Sequence, residues 1–225
     1  EQPLFHFLAR QQRELDGLRS TLEDWMRSGN DWERQPVADR VIACWRAGLQ
    51  RPVQASELLD FGSVSDFPVL DADFSHVSAL KLDADLMMSE SGGGFVRRFP
   101  GVQRLELIDI QQDMTPLAEV LAGLETVTSL CLNAGYPGFA PDFINRLYRM
   151  AHIEQLTLQG AVQTLDVRAW PGLRVLRVSG GLTQWPEGIF ALEHLHTLDL
   201  YGAAIKTLPD ALFSSHRRLW RGLRL

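Results

Sequence analysis

One six-residue pattern recurs along most of the chain: an apolar residue, two variable residues, a second apolar residue, one variable residue and a third apolar residue. Its seven copies begin at Val77, Val102, Val127, Ile153, Leu173, Leu195 and Trp220. Successive starts are 25, 25, 26, 20, 22 and 25 residues apart, and a degenerate eighth copy is expected at Leu59-x-Phe61. One such unit cannot cover its own apolar residues, so we expect the units to stack on one another.

The spacing inside and between the copies predicts the shape of each unit. The last two apolar residues of a copy are two positions apart, which places both on one face of a short strand. Every interval between copies falls within the range of about 20–29 residues that is typical of leucine-rich repeats. We therefore predict an α/β leucine-rich-repeat solenoid of about seven to eight repeats, with parallel strands on its concave face. Return segments at 115–124 and 141–150 have helical periodicity, whereas Trp185-Pro186 and Leu208-Pro209 predict tight turns.

The turn after each strand departs from the usual leucine-rich pattern, which has asparagine at the ninth position of the repeat. That position is occupied here by Asp85, Ile110, Gly135, Ala161, Gly181 and Ala203. An asparagine side chain would bond free backbone groups of the turn, and these residues cannot form such a ladder. We therefore expect irregular turns, with ordered water bonded to the exposed amides.

The first 52 residues have a different pattern and predict a helical module. Residues 3–28 carry apolar side chains at helical spacing, several of them seven apart as in a coiled-coil seam: Leu4, Leu8, Leu15, Leu18, Leu22 and Trp25. A second helix is predicted from Pro36 to Ala47, after a turn at 28–31. We divide the chain into this module (1–52) and the repeat region (53–225). The module is interpreted as a cap over the first repeat, the alternative being a separate partner-binding hairpin.

Composition and charge exclude several classes of protein. No apolar run is long enough to span a membrane, and two cysteines cannot build a disulfide framework or a four-thiolate zinc site. Net charge is zero over residues 1–52, −10 over 53–167 and +4 over 168–225. An acidic centre argues against a nucleic-acid groove along the chain but is compatible with steering a charged partner.

Side chains that alternate with the buried leucines of each strand are predicted to line the concave face, where solenoids usually bind their partners. Among them we expect the partner-binding residues to be Lys81, Asp83, Arg104, Glu106, Ile108, Asn133, Gln155, Gln159, Arg177, Asp199 and Tyr201. Arginine and tyrosine are enriched in binding hot spots. The alternative for any one of these residues is an ordinary solvated strand position.

Other chemically suggestive residues have simpler interpretations. Cys131 lies on the same face without an adjacent cation to activate it, and Cys44 is expected in the core. The three histidines that each precede a repeat (His76, His152 and His194) are too far apart to share a metal ion and are interpreted as turn residues. The segment 91–94 lacks the lysine of a phosphate loop, and no spacing marks a hydrolase triad. We predict no catalytic residue, cofactor or metal ion in this chain.

The whole chain resembles the region that precedes the catalytic domain in bacterial NEL-type (IpaH-like) E3 ubiquitin ligases. The resemblance rests on the helical stretch 5–46, including Ala38-Asp39-Arg40-Val41-Ile42-Ala43-Cys44-Trp45-Arg46. It also rests on Ala72-Asp73-Phe74-Ser75-His76-Val77 and on residues 195–212, which include a Leu-Pro-x-x-Leu return.

The resemblance implies a division of labour within a secreted bacterial effector that acts in the host-cell cytoplasm. The repeats recognise a host protein and can restrain the ligase, while a separate C-terminal domain carries a Cys-x-Asp nucleophile. That motif is missing here, since Cys44 precedes Trp45-Arg46 and Cys131 precedes Leu132-Asn133. We therefore expect this chain to be an excised, non-catalytic part of a ligase, and the natural protein to continue after Leu225. The partners implied are the host substrate and the ligase's own catalytic domain. The alternative is a non-catalytic leucine-rich-repeat binding protein, such as an effector scaffold or an adhesin.

Lysine is scarce, with two residues (Lys81 and Lys206) among 22 basic ones. In a ubiquitin ligase this scarcity would limit self-modification, because lysine amines are the usual acceptors and arginine keeps the charge without accepting ubiquitin. GC-rich codon usage gives the same composition, and the sequence leaves both explanations open.

Overall fold

Two helices pack side by side at the start of the chain. In the computed structural model, which describes residues 2–50, 58–90, 93–216, 219 and 223, they are α1 (Gln2–Arg27) and α2 (Asp31–Gly48). Helix α2 begins five residues before the predicted start, because Asn30 takes an extended conformation at its N-cap and Pro36 is tolerated inside the helix. The boundary proposed at residue 52 falls in the undescribed stretch 51–57 and stays a prediction.

A parallel sheet follows, and its strands lie side by side in the order of the sequence. The seven strands of the described residues are β1 (Leu59–Asp60), β2 (Ala79–Asp83), β3 (Arg104–Ile110), β4 (Ser129–Ala134), β5 (Gln155–Gln159), β6 (Val175–Ser179) and β7 (Thr197–Asp199). The α/β class and the parallel strands are therefore confirmed. Strand β1 occupies the degenerate copy at Leu59-x-Phe61, whereas the copy that begins at Trp220 lies outside the described residues except for Leu223.

The register aligns the repeated pattern from strand to strand. Leu80 pairs with Leu105, which pairs with Leu130, and the same row continues through Leu156 and Leu176. Side chains of this row are at most 2% exposed, because each strand buries its leucines against those of its neighbours. The spacing between copies in the sequence thus becomes one continuous apolar layer beneath the sheet.

The segments that connect the strands differ in length and structure. Helical returns are α3 (Ala84–Met88), α4 (Gly94–Arg97), α5 (Thr115–Ala122), α6 (Pro141–Leu147) and α7 (Asp210–Phe213). The predicted helices at 115–124 and 141–150 are confirmed, although each ends two or three residues earlier. Shorter returns form 3₁₀ turns at Val167–Ala169 and Ile189–Ala191. Of the glycine-rich segment 91–94, Gly94 begins α4 and residues 91–92 lie outside the described part.

The turns after the strands are irregular, in line with the missing asparagines. In β3 the register shifts between Leu107 and Ile110, where Asp109 has a φ of 57°. Elsewhere the turn amides bond to carbonyls of the neighbouring turn: Gly180 N donates to Tyr201 O (2.9 Å), and Ala204 N donates to Leu182 O (2.7 Å). Backbone carbonyls therefore satisfy these amides, in place of the water molecules expected from the sequence.

The N-terminal helices share the core of the sheet at its β1 edge. Leu18, Leu22 and Trp25 of α1 are buried together with Val41 and Trp45 of α2. By contrast, Leu8 is 56% exposed, so the predicted seam is buried only in the second half of α1, and the side chain of Leu4 lies outside the described part. The physical reason is that α2 supplies the partner for the seam only where the two helices overlap.

A polar cluster fixes the chain that links these helices to the sheet. Asp66 accepts two hydrogen bonds from the Arg34 guanidinium, at 2.8 and 2.9 Å, and one from Trp25 Nε1 at 3.2 Å. Arg34 also lies over the Trp25 ring, 4.9 Å from its centroid. These bonds join α1, α2 and the segment after β1, and so orient the helical pair.

Candidate protein-binding face

The side chains that alternate with the buried leucines lie on the other side of the sheet, here called the open face. Strand register arranges its central positions in one row across the sheet: Asp60, Lys81, Glu106, Cys131, Thr157, Arg177 and Asp199. Neighbouring positions of the row are one strand spacing apart, about 4.8 Å. The row therefore brings together side chains that are up to 139 residues apart in the sequence, from position 60 to position 199.

The first strands of the open face carry charges that offset one another. Lys81 Nζ lies 3.5 Å from Asp60 Oδ2 and 3.9 Å from Glu106 Oε1. Arg104 Nη2 lies 4.0 Å from Glu106 Oε2. Such partly exposed ion pairs contribute little to stability, but they leave this end of the face with little uncompensated charge.

The middle of the open face is neutral. Asn133 Nδ2 donates to Gln159 Oε1 across neighbouring strands at 3.1 Å. Burial, and secondarily the Glu106 carboxylate, raises the pKa of the Cys131 thiol to about 11. The thiolate is the reactive form, so Cys131 is poorly nucleophilic near neutral pH. This supports the interpretation of Cys131 as an unreactive side chain.

The last strands of the open face present side chains that are free to meet a partner. Arg177 is exposed at the centre of β6 and has no ion-pair partner among the described residues. Gln155 and Gln159 on β5 are also exposed. Tyr201, directly after β7, is 71% exposed, and its backbone amide bonds to Asp199 Oδ1 at 3.2 Å. A guanidinium that forms no ion pair within the described part and an exposed phenol are the residue types that dominate binding hot spots.

Two predicted face residues are less accessible than the sequence indicated. Asp83 is only 7% exposed and accepts a hydrogen bond of 2.8 Å from the Asp85 amide, which makes it the N-cap of α3. Its burial raises the pKa of its carboxyl group. Ile108, its partner in the register, is half-buried. Asp83 therefore has a structural contact, which alternation along the strand could not reveal.

Histidines bond the carbonyls of neighbouring segments. His76 Nε2 donates to Cys44 O at 2.9 Å and His152 Nε2 to Leu124 O at 3.2 Å, whereas His194 is exposed. His216, which sequence reasoning missed, makes the same kind of bond to Phe190 O at 2.9 Å. For His76 and His152, the only feature of the sequence that indicates such a bond is a histidine directly before a repeat. No group of three or more His, Cys, Asp or Glu side chains in the described part is arranged to hold a metal ion.

Within the described residues, none of the helices combines the length and the apolar character needed to cross a bilayer. Comparisons of the chain with protein-family models, with curated proteins and with solved structures found no match. Two features of the chain therefore bear on its function, the arrangement of side chains on the open face and the repeated sequence pattern.

Proposed function

We propose that the chain is a leucine-rich-repeat solenoid whose concave side is the open face and whose first unit is capped by α1 and α2. The in-order parallel strands and the regular interval between copies support the solenoid. A hydrogen bond at the edge strand β1 supports the proposed cap: Arg40 Nε of α2 donates to Asp60 O at 2.6 Å. An uncovered strand edge would expose both apolar surface and unpaired backbone groups.

The function that fits this architecture best is recognition of another protein through the open face. One observation carries the proposal: Arg177 and Tyr201 are exposed near one another, while the charges of β1 to β3 offset one another. A partner that meets the last strands can form new bonds to Arg177 without first breaking an internal ion pair. Lys81, Arg104 and Glu106 then contribute to the rim of the contact.

The resemblance to NEL-type ligases supports a more specific proposal for the parent protein. The chain recognises a host substrate for a secreted bacterial E3 ubiquitin ligase that acts in the host cytoplasm, and a catalytic domain beyond these residues performs the transfer. In this proposal the chain itself binds and positions the substrate. In the second candidate, a non-catalytic binding protein, the same open face binds the partner. The two candidates differ only in whether a catalytic domain belongs to the same protein.

Sequencing the gene downstream of the codon for Leu225 separates the two candidates. A helical domain containing a Cys-x-Asp motif supports the ligase, and its cysteine should then form a thioester with ubiquitin when the full-length protein is incubated with a charged conjugating enzyme. A terminal capping repeat followed by a stop codon contradicts the ligase and leaves the binding protein. Residues 1–225 alone should not discharge ubiquitin, and measurable turnover by them would contradict the proposed division of labour.

A further inference from the structure

We draw no further inference here: the strongest candidate, the surface patch that Phe5, Phe7 and Leu8 form on the first turns of α1, is exposed and apolar, but nothing in the described residues shows what covers it.

Discussion

Asp83 shows how burial of one carboxyl group creates a pH dependence that can be measured. Its folded-state pKa is raised above the ordinary 3.8, chiefly by burial, so between these values the folded chain holds a proton that the unfolded chain has released. The free energy of unfolding therefore falls as the pH rises through this window. Asn at this position keeps the capping oxygen and cannot ionise.

We predict that Asp83→Asn becomes more stable relative to wild type as the pH is raised from 4 to 7. Asp83→Ala should show the same trend relative to wild type, because it also cannot ionise, but should be about 1 kcal/mol less stable than Asp83→Asn at both pH values because the cap is removed. Urea unfolding at the two pH values measures both effects. A difference between Asp83→Asn and wild type that does not change with pH, or that changes in the opposite direction, would contradict the assigned pKa shift.

Cys131 is predicted to be a slow nucleophile. With a pKa near 11, about one thiol in a thousand is ionised at pH 8, compared with roughly a quarter for an unperturbed cysteine. In the Cys44→Ser variant, which leaves Cys131 as the sole thiol, alkylation by iodoacetamide should be on the order of a hundredfold slower than for the same variant unfolded in guanidinium. A rate that already levels off near pH 9 would show that burial does not control this thiol.

At the scale of elements, histidine rings donate hydrogen bonds to backbone carbonyls of other segments and so connect them. His216 Nε2 donates to Phe190 O at 2.9 Å, its ring lies 4.8 Å from that of Phe190, and Ser215 Oγ lies 2.8 Å from Nδ1. A carbonyl only accepts, so Nε2 carries a proton and donates it to Phe190 O. We predict that His216→Ala lowers the free energy of unfolding by about 1–2 kcal/mol. The exposed His194 is the control, and its replacement by Ala should change stability by less than about 0.5 kcal/mol.

The turn after β6 depends on glycine in a left-handed conformation. Gly181 has a φ of +81°, and a Cβ atom there would lie 2.8 Å from Val162 N. We predict that Gly181→Ala destabilises the fold by at least about 2 kcal/mol, because both strain and a clash with backbone oppose it. Gly172→Ala is the matched change, since nothing lies within 4 Å of its Cβ position, and it should be nearly neutral. Equal melting temperatures for the two variants would contradict this account of the turn.

The elements that could be predicted from the sequence are those fixed by local periodicity. Alternation around Leu80 and Leu105 predicts strands, and the same leucines pair in the sheet. Periodicity also predicts α1 but not how much of it is covered, since coverage of Leu8 depends on where α2 ends. The bonds that replace the asparagine ladder join turns about 20 residues apart, and no local pattern in the sequence encodes them.

For the whole molecule, the order of the strands follows from the repeat. Which side chains of the open face are available to a partner does not. The sequence places Arg104 and Arg177 on the same face of the sheet. The structure adds that Arg104 forms an ion pair with Glu106 of its own strand, while Arg177 has no ion-pair partner within the described part. Asp83 likewise looks like a face residue in the sequence and is an N-cap in the fold.

The central claim is that the last strands of the open face bind a protein partner. Capture of host-cell proteins by the immobilised chain, quantified for wild type and for Arg177→Ala with Tyr201→Ala, tests it most directly. Arg149→Ala is the control, because Arg149 follows α6, pairs with Glu119 and lies away from the open face. We predict one or more proteins retained by wild type and by the control and lost at least about tenfold from the double variant, with unchanged melting temperature. Equal retention by all three proteins would contradict the claim.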